Sequence, residues 1–193
     1  LVLADELESE ENPADWRSLQ EKRLRGWVKD YFAFVWRSLR HLGVPPADAD
    51  DAAQQVFLVA ARKVGEIQEG MERSFLFGTA VRIASRSRRT HHRRREVSGD
   101  AAEQWIDSRP GPDEQLDRAE GRVLLARILD QLEHDVRAVF VLFEIEQLTM
   151  AEIAEALEIP SGTVASRLRR GRERFRSIVE RLEKKPKGAG GRS

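Results

Sequence analysis

Between Thr149 and Arg174 the chain spells out two short helices and the turn joining them, which constrains the fold more than any other stretch. Thr149-Met150-Ala151-Glu152 is a capping box, in which a threonine and a glutamate three residues on satisfy orphan amides reciprocally at a helix start. The helix that follows is expected to bury Ile153, Ala154 and Leu157, with Ala154 small where two helices must approach. Pro160 and Ser161 stop it and cap a second helix starting near Gly162. Such a pair is a helix-turn-helix. On a 3.6-residue wheel the second helix places Val164, Leu168, Phe175, Ile178 and Leu182 on one stripe. Ser166, Arg169 and Arg170 lie opposite, with Arg167 and Arg174 at the flank. A face of this kind suits the major groove of DNA. The plainer alternative is a solvated surface helix with ion pairs such as Arg169 with Glu173.

The rest of the chain is also helical in pattern. No alternating β-branched run or Asn-Gly hairpin signal occurs, so an all-α fold of two small helical domains is expected. The apolar spacing predicts an amphipathic helix over residues 15–41, carrying Leu19, Leu24, Trp27, Val28, Tyr31, Phe34, Val35 and Leu39, ended by Gly43-Val44-Pro45-Pro46. A second is expected over about 47–64 and a third from about Ser74 into an arginine block. Gly99, Pro110, Gly111 and Pro112 among acids mark a flexible linker over 97–113. Three or four further helices should follow to about Leu182. The divisions expected are an acidic extension 1–14, a first domain 15–96, the linker 97–113, a second domain 114–183 and a disordered tail 184–193.

The formal net charge of zero conceals strong segregation. Residues 1–16 carry six acids and no base, and residues 82–95 carry seven arginines and no acid. Residues 96–120 hold eight acids against Arg109 and Arg118, and residues 167–187 are basic again. Two basic blocks around an acidic connector point to two nucleic-acid-facing modules. With no cysteine, disulfides, thiol nucleophiles and cysteine-ligated metal are excluded. No apolar run approaches the roughly 18 residues of a membrane span, and the acidic start is unlike a secretion signal, so a cytoplasmic location is expected. His41, His91, His92 and His134 show no metal-ligand spacing and no nucleotide-binding glycine motif occurs, so neither an enzyme, a metal nor a cofactor is expected.

Two helices of the first domain carry candidate sites. Residues 47–64 bury Ala49, Ala53, Val56, Phe57, Ala60 and Val64, leaving Asp51, Gln54, Gln55, Leu58 and Arg62 on the other face. A leucine flanked by glutamines is either an ordinary exposed residue or the centre of a polar-rimmed protein interface. In the next helix Arg82, Arg86, Arg89 and Arg93 recur at intervals of four, three and four, opposite Phe77, Ala80, Val81 and Ala84. Like charges so spaced repel by a few tenths of a kcal/mol per pair, and a polyanion relieves them. Phe75 beside this stripe is suited either to stacking on single-stranded bases or to core packing.

Three runs resemble the extracytoplasmic-function sigma factors of RNA polymerase. Ala49-Asp50-Asp51-Ala52-Ala53-Gln54-Gln55-Val56-Phe57 is similar to their Asp-x-x-Gln-Glu-Val-Phe helix. Residues 75–84, Phe-Leu-Phe-Gly-Thr-Ala-Val-Arg-Ile-Ala, resemble their −10 helix, and 148–172 resemble their −35-reading helix-turn-helix. Gln55 replaces a glutamate, Phe75 a common tryptophan, Arg82 and Arg86 stand near family Asn and Asp, and Glu158 replaces a turn glycine. The resemblance implies sigma domains 2 and 4, a linker entering the polymerase cleft, and partners in core polymerase, promoter DNA and an anti-sigma factor. It implies a monomer when free of these. Asp51, Gln54, Gln55, Leu58 and Arg62 would dock on the polymerase clamp helices. Phe75, Arg82, Arg86, Arg89 and Arg93 would meet the −10 element, partly as single strand. Ser166, Arg167, Arg169, Arg170 and Arg174 would meet the −35 duplex. The competing expectations are a one-component helix-turn-helix regulator binding duplex DNA without polymerase, and a helical interaction protein with acidic partners.

Overall fold

The structure, a computed structural model, describes residues 13–98 and 113–184. Residues 1–12, 99–112 and 185–193, which hold most of the acidic extension, the linker and the tail, lie outside the described residues. Among those described there are seven α-helices, one π-helical segment and no strand.

Helix α1, Pro13–His41, ends where Gly43 takes a φ of +96°. The Gly43 amide donates to the Arg40 carbonyl at 3.0 Å and the Val44 amide to the Leu39 carbonyl at 3.0 Å, the Schellman closure that favours glycine. Helix α2, Pro46–Lys63, starts with a proline whose missing N–H costs nothing at that position. Helix α3, Glu72–Ser98, starts two residues earlier than the spacing suggests. Arg23 of α1 ties the start of α3 in place: it donates to Glu72 at 2.9 Å and to the Val64 carbonyl at 3.1 Å, and lies over the Trp27 ring. Val35, Leu39, Val56, Leu76, Phe77 and Ala80 interlock beneath these three helices. All six residues expected inside over 47–64 are buried, five in α2 and Val64 just after it. In α1 only Trp27, Val35 and Leu39 are, and Leu19, Val28 and Phe34 remain exposed, because α2 and α3 cover one side of this long helix and nothing described covers the other.

The second module contains α4, Asp113–Leu129, and α5, His134–Phe140, which passes into a π-helical turn, Val141–Ile145. Helices α6, Met150–Leu157, and α7, Ser161–Glu183, complete it. The capping box is formed: the Glu152 amide donates to Thr149 Oγ1 at 3.2 Å, and the Thr149 amide to Glu152 Oε2 at 2.7 Å. That amide holds the Glu152 carboxyl below the usual carboxylate range. Pro160, not Ser161, occupies the N-cap of α7, with no side-chain cap bond, so Ser161 is the first helical residue. Gly171 lets α7 close on Phe140, which stacks on Phe175 with centroids 5.1 Å apart. Val164, Leu168 and Ile178 are buried as spaced, but Leu182 is exposed. On α6, Ile153 is buried, yet Ala156 is enclosed while Ala154 and Leu157 are only half-buried. The reason is that α6 is covered on two sides, by α7 and by α3 of the first module.

Candidate nucleic-acid interface

Glu158, which ends α6, sits at a φ of +55°, in the left-handed region where a turn glycine would be unstrained. The short turn to Pro160 then aims α7 across α6. Ser166, Arg169, Arg170 and Arg174 all stand exposed along α7. Ser166 Oγ donates to the Thr163 carbonyl at 3.0 Å, and Arg169 pairs with Glu173 at 2.8 Å. Arg170 and Arg174 hold no ion pair among the described residues and line a shallow hollow with Gln131, Glu133 and Glu173. Arg167 departs from this group. It is half-buried and paired with Asp135 of α5 at 2.6 Å, facing α3 rather than the outer side.

On α3, Arg82, Arg86 and Arg89 are exposed on one face; Arg93 is in the helix, but its side chain lies outside the described residues. The counter-charge for Arg82 is internal, Glu158 of α6 at 3.2 Å. Phe75 is half-buried against the core and lines a cleft of about 420 Å³ between α3 and α6, walled on the far side by Glu155 and Glu158. Arg88, between the stripe residues, turns to His134 of α5 and donates to its Nδ1 at 3.3 Å. With Nδ1 accepting, His134 Nε2–H faces Ser85 Oγ, and Ser85 donates to the Val81 carbonyl at 2.8 Å. Burial, then the Arg88 charge, push the His134 pKa below its ordinary value.

Asp51, Gln54, Gln55, Leu58 and Arg62 form one exposed strip on α2, Leu58 being 51% exposed. Spacing alone misses an exposed aromatic of α1 that packs on α2. Phe32 is 39% exposed and stacks on the buried Phe57, with ring centroids 6.0 Å apart. Its only sequence signal is an aromatic in the run 31–36, on the side of α1 that the wheel leaves to solvent.

Behind these faces Arg137 of α5 is almost wholly buried between the modules. Its Nε donates to the His41 carbonyl at the end of α1 and its Nη1 to Asp130, each at 2.6 Å. Desolvation lowers its pKa to about 10, so it remains a cation at neutral pH. No group of three or more metal-ligating side chains occurs among the described residues, and no described helix is long and apolar enough to cross a membrane.

A two-module helical protein with an exposed helix-turn-helix and a second arginine face belongs among the DNA-binding factors of transcription. The family model for sigma-70, region 4 matches residues 122–175, from α4 through most of α7. The chain is 30% identical over 161 residues to the ECF RNA polymerase sigma factor SigL of Mycobacterium tuberculosis, covering 82% of this chain and 90% of SigL. It is 28% identical over 153 residues to the ECF sigma factor SigE of Mycolicibacterium smegmatis, covering 79% of this chain and 60% of SigE. A Bartonella quintana sigma factor RpoE, solved with the anti-sigma factor NepR, shares the fold at a TM-score of 0.66 and 18% identity, over 82% of this chain and 98% of that one. The chain belongs to the extracytoplasmic-function sigma factors of RNA polymerase.

Proposed function

We propose that this chain is an alternative sigma factor, which binds core RNA polymerase and directs it to promoters by reading a −35 element through α7 and a −10 element through α3. The observation carrying this reading is that one chain presents a helix-turn-helix, a separate arginine face and an exposed leucine set in a polar strip. A one-component regulator needs only the first of these. The α2 strip, Asp51, Gln54, Gln55, Leu58 and Arg62 with Phe32 of α1, is the polymerase-docking surface. It has the apolar centre and polar rim of a partner-binding patch.

Each DNA face then has its own chemistry. Arg82, Arg86, Arg89 and Arg93 neutralise phosphates around the −10 element, and Phe75 offers a ring to an unstacked base. On α7, Arg170 and Ser166 are aimed at base edges, with Arg169 beside them. Arg174 and Arg167 track phosphates, Arg167 once it leaves Asp135. The protein acts by binding, in the cytoplasm, with no catalytic group of its own. An anti-sigma factor restrains it, a reading supported by its likeness in fold to the Bartonella quintana sigma factor that was solved bound to NepR.

Run-off transcription is the test. Core polymerase plus this chain should yield a discrete transcript from a promoter that core alone does not use. Duplex binding without that transcript would favour the one-component reading.

A further inference from the structure

Between Ser161 and Arg176, α7 carries six arginines and one acid, Glu173. The acid belongs to the reading face. Two helical turns fall within about 20° of seven residues, so Glu173 stands almost in line with Ser166 and between Arg169 and Arg170. The rise over that stretch is about 10.5 Å, comparable to the roughly 12 Å width of the major groove. Glu173 is exposed, and its Oε1 accepts from Arg169 Nη1 at 2.8 Å. It also lines the shallow hollow that Arg170 and Arg174 share. Arg167 and Arg172 are paired from outside the helix, by Asp135 of α5 and Glu144 of the π-helical turn, each at 2.6 Å. Glu173 therefore differs from those two acids in facing where the bases would lie.

Stability does not account for the Arg169–Glu173 pair. With side chains 70% and 55% exposed it contributes little in water. Its order is also the weaker one, since a helix favours the acid on the N-terminal side of the cation. Against DNA the carboxylate is a further liability, because it faces phosphates and loses hydration. It lowers affinity for every duplex alike, by repulsion and by occupying an arginine that would otherwise meet the backbone. What it returns is order. A guanidinium already held on the helix loses less rotational freedom when a base edge accepts it. The right sequence gains from this and the wrong one does not, so the pair widens the difference between them.

We propose that Glu173 is a specificity-determining residue of the −35 face. It acts as a positioning residue, holding Arg169 towards the base edges and away from the phosphates. This role rests on the reading of α7 as the −35 helix.

The full-length chain can select its preferred duplex from a randomised pool, and fluorescence anisotropy then gives its affinity for that duplex, for single-base variants and for a scrambled duplex. Glu173→Gln removes the charge at nearly constant shape, and circular dichroism checks the helicity. The variant should bind the scrambled duplex more tightly and steepen its log–log salt slope by about one to two. Each added phosphate contact makes that gain about 3.5-fold larger at ~50 mM than at ~200 mM salt. Preference should fall about fivefold or more at the base position where Arg169→Ala also lowers it, the lower end of what a bidentate arginine contact discriminates. In the Arg169→Ala background Glu173→Gln should change that preference no further. An unchanged salt slope together with unchanged preference overturns the role. A loss that persists without Arg169, or that falls at another base pair, also overturns the positioning role, because Glu173 would then read a base itself, such as the N4 amine of cytosine. An unaltered chain that selects no duplex overturns it as well. Failure to initiate with core polymerase counts against the sigma reading alone, because selection and affinity are measured without polymerase.

Discussion

Leu58→Arg is the sharpest test of the polymerase-docking strip. Leu58 is 51% exposed, while its neighbours Val56, Phe57 and Ala60 carry the packing of α2. Leucine and arginine have similar helix propensities, so the substitution should move folding stability by no more than about 0.5 kcal/mol. Fully burying a leucine side chain is worth about 1.5–3 kcal/mol, so the half left open can contribute about 1 kcal/mol on docking. Leu58→Ala should therefore weaken holoenzyme assembly about fivefold. An arginine there must also lose hydration inside the contact or bend out of it, so the loss should reach about 2–4 kcal/mol, roughly 30-fold to 1,000-fold. Fluorescence anisotropy of labelled chain titrated with core polymerase measures the affinity, and thermal melting by circular dichroism checks the fold. The two must separate: an unchanged melting temperature with a large affinity loss. A folded Leu58→Arg protein with native affinity would refute the placement of the strip at the interface.

Arg170→Ala should relax preference at one or two −35 positions, each by about 1–3 kcal/mol, whereas Arg174→Ala should weaken all promoters alike and reduce the salt slope by about one; binding to single-base −35 variants separates the two. Arg137→Met removes a desolvated cation while filling most of its volume, so it should lie within about 1 kcal/mol of the unaltered chain; Arg137→Ala loses a further methylene, thioether sulfur and methyl of packing and should fall about 2–3 kcal/mol below Met. Urea denaturation measures both, and equal losses would mean that the bonds to His41 and Asp130 outweigh the desolvation. The contact between the modules should also weaken in acid. His134 faces Arg88 and Arg89 from α3 and Asp135 and Arg137 from α5, with Arg82, Glu158 and Arg167 in the same cleft. Its pKa is depressed with the modules in contact and near 6.5 once exposed, so the parted form binds the extra proton. The contribution of His134 to the contact between the modules is fully present above pH 6.5 and declines as pH falls below it. Energy transfer between dyes on Lys29→Cys and Glu180→Cys, one in each module of this cysteine-free chain, should drop over that range and lose this dependence in His134→Gln.

The local parts of this fold are legible because local spacing decides them. Helix α2 shows its core face as Ala49, Ala53, Val56, Phe57 and Ala60, and each is buried. The capping box is equally plain, since both partners lie within four residues. Where the sequence misleads, the deciding contact comes from far along the chain. A wheel drawn for α6 selects Ala154 and Leu157, but α3, some 78 residues earlier, claims Ala156 instead. The π-helical turn at Val141–Ile145 leaves no periodic trace, because one extra residue in a ladder looks like ordinary drift over so short a span. Arg137 reads as a surface cation until Gly43 and Asp130 are seen to make a slot for its guanidinium. The candidate faces divide in the same way. Arg169, Arg170 and Arg174 follow from their own helix, while Arg82 and Arg167 are redirected by partners in other elements.

Gly78 joins these two kinds of information. By propensity it is the weakest choice for the interior of α3, and the three atoms nearest to a Cβ built there all belong to Ala156, none to α1 or α2. A helical glycine with no local reason is therefore a sequence-level pointer to a close backbone approach from elsewhere. In this chain the point of approach falls among Phe75, Arg82 and Arg86, the residues proposed to meet the −10 element. Substituting alanine should thus improve the helix by its own propensity while loosening the junction between modules. A stabilised α3 accompanied by parted modules is the combination that a purely local role for Gly78 does not produce.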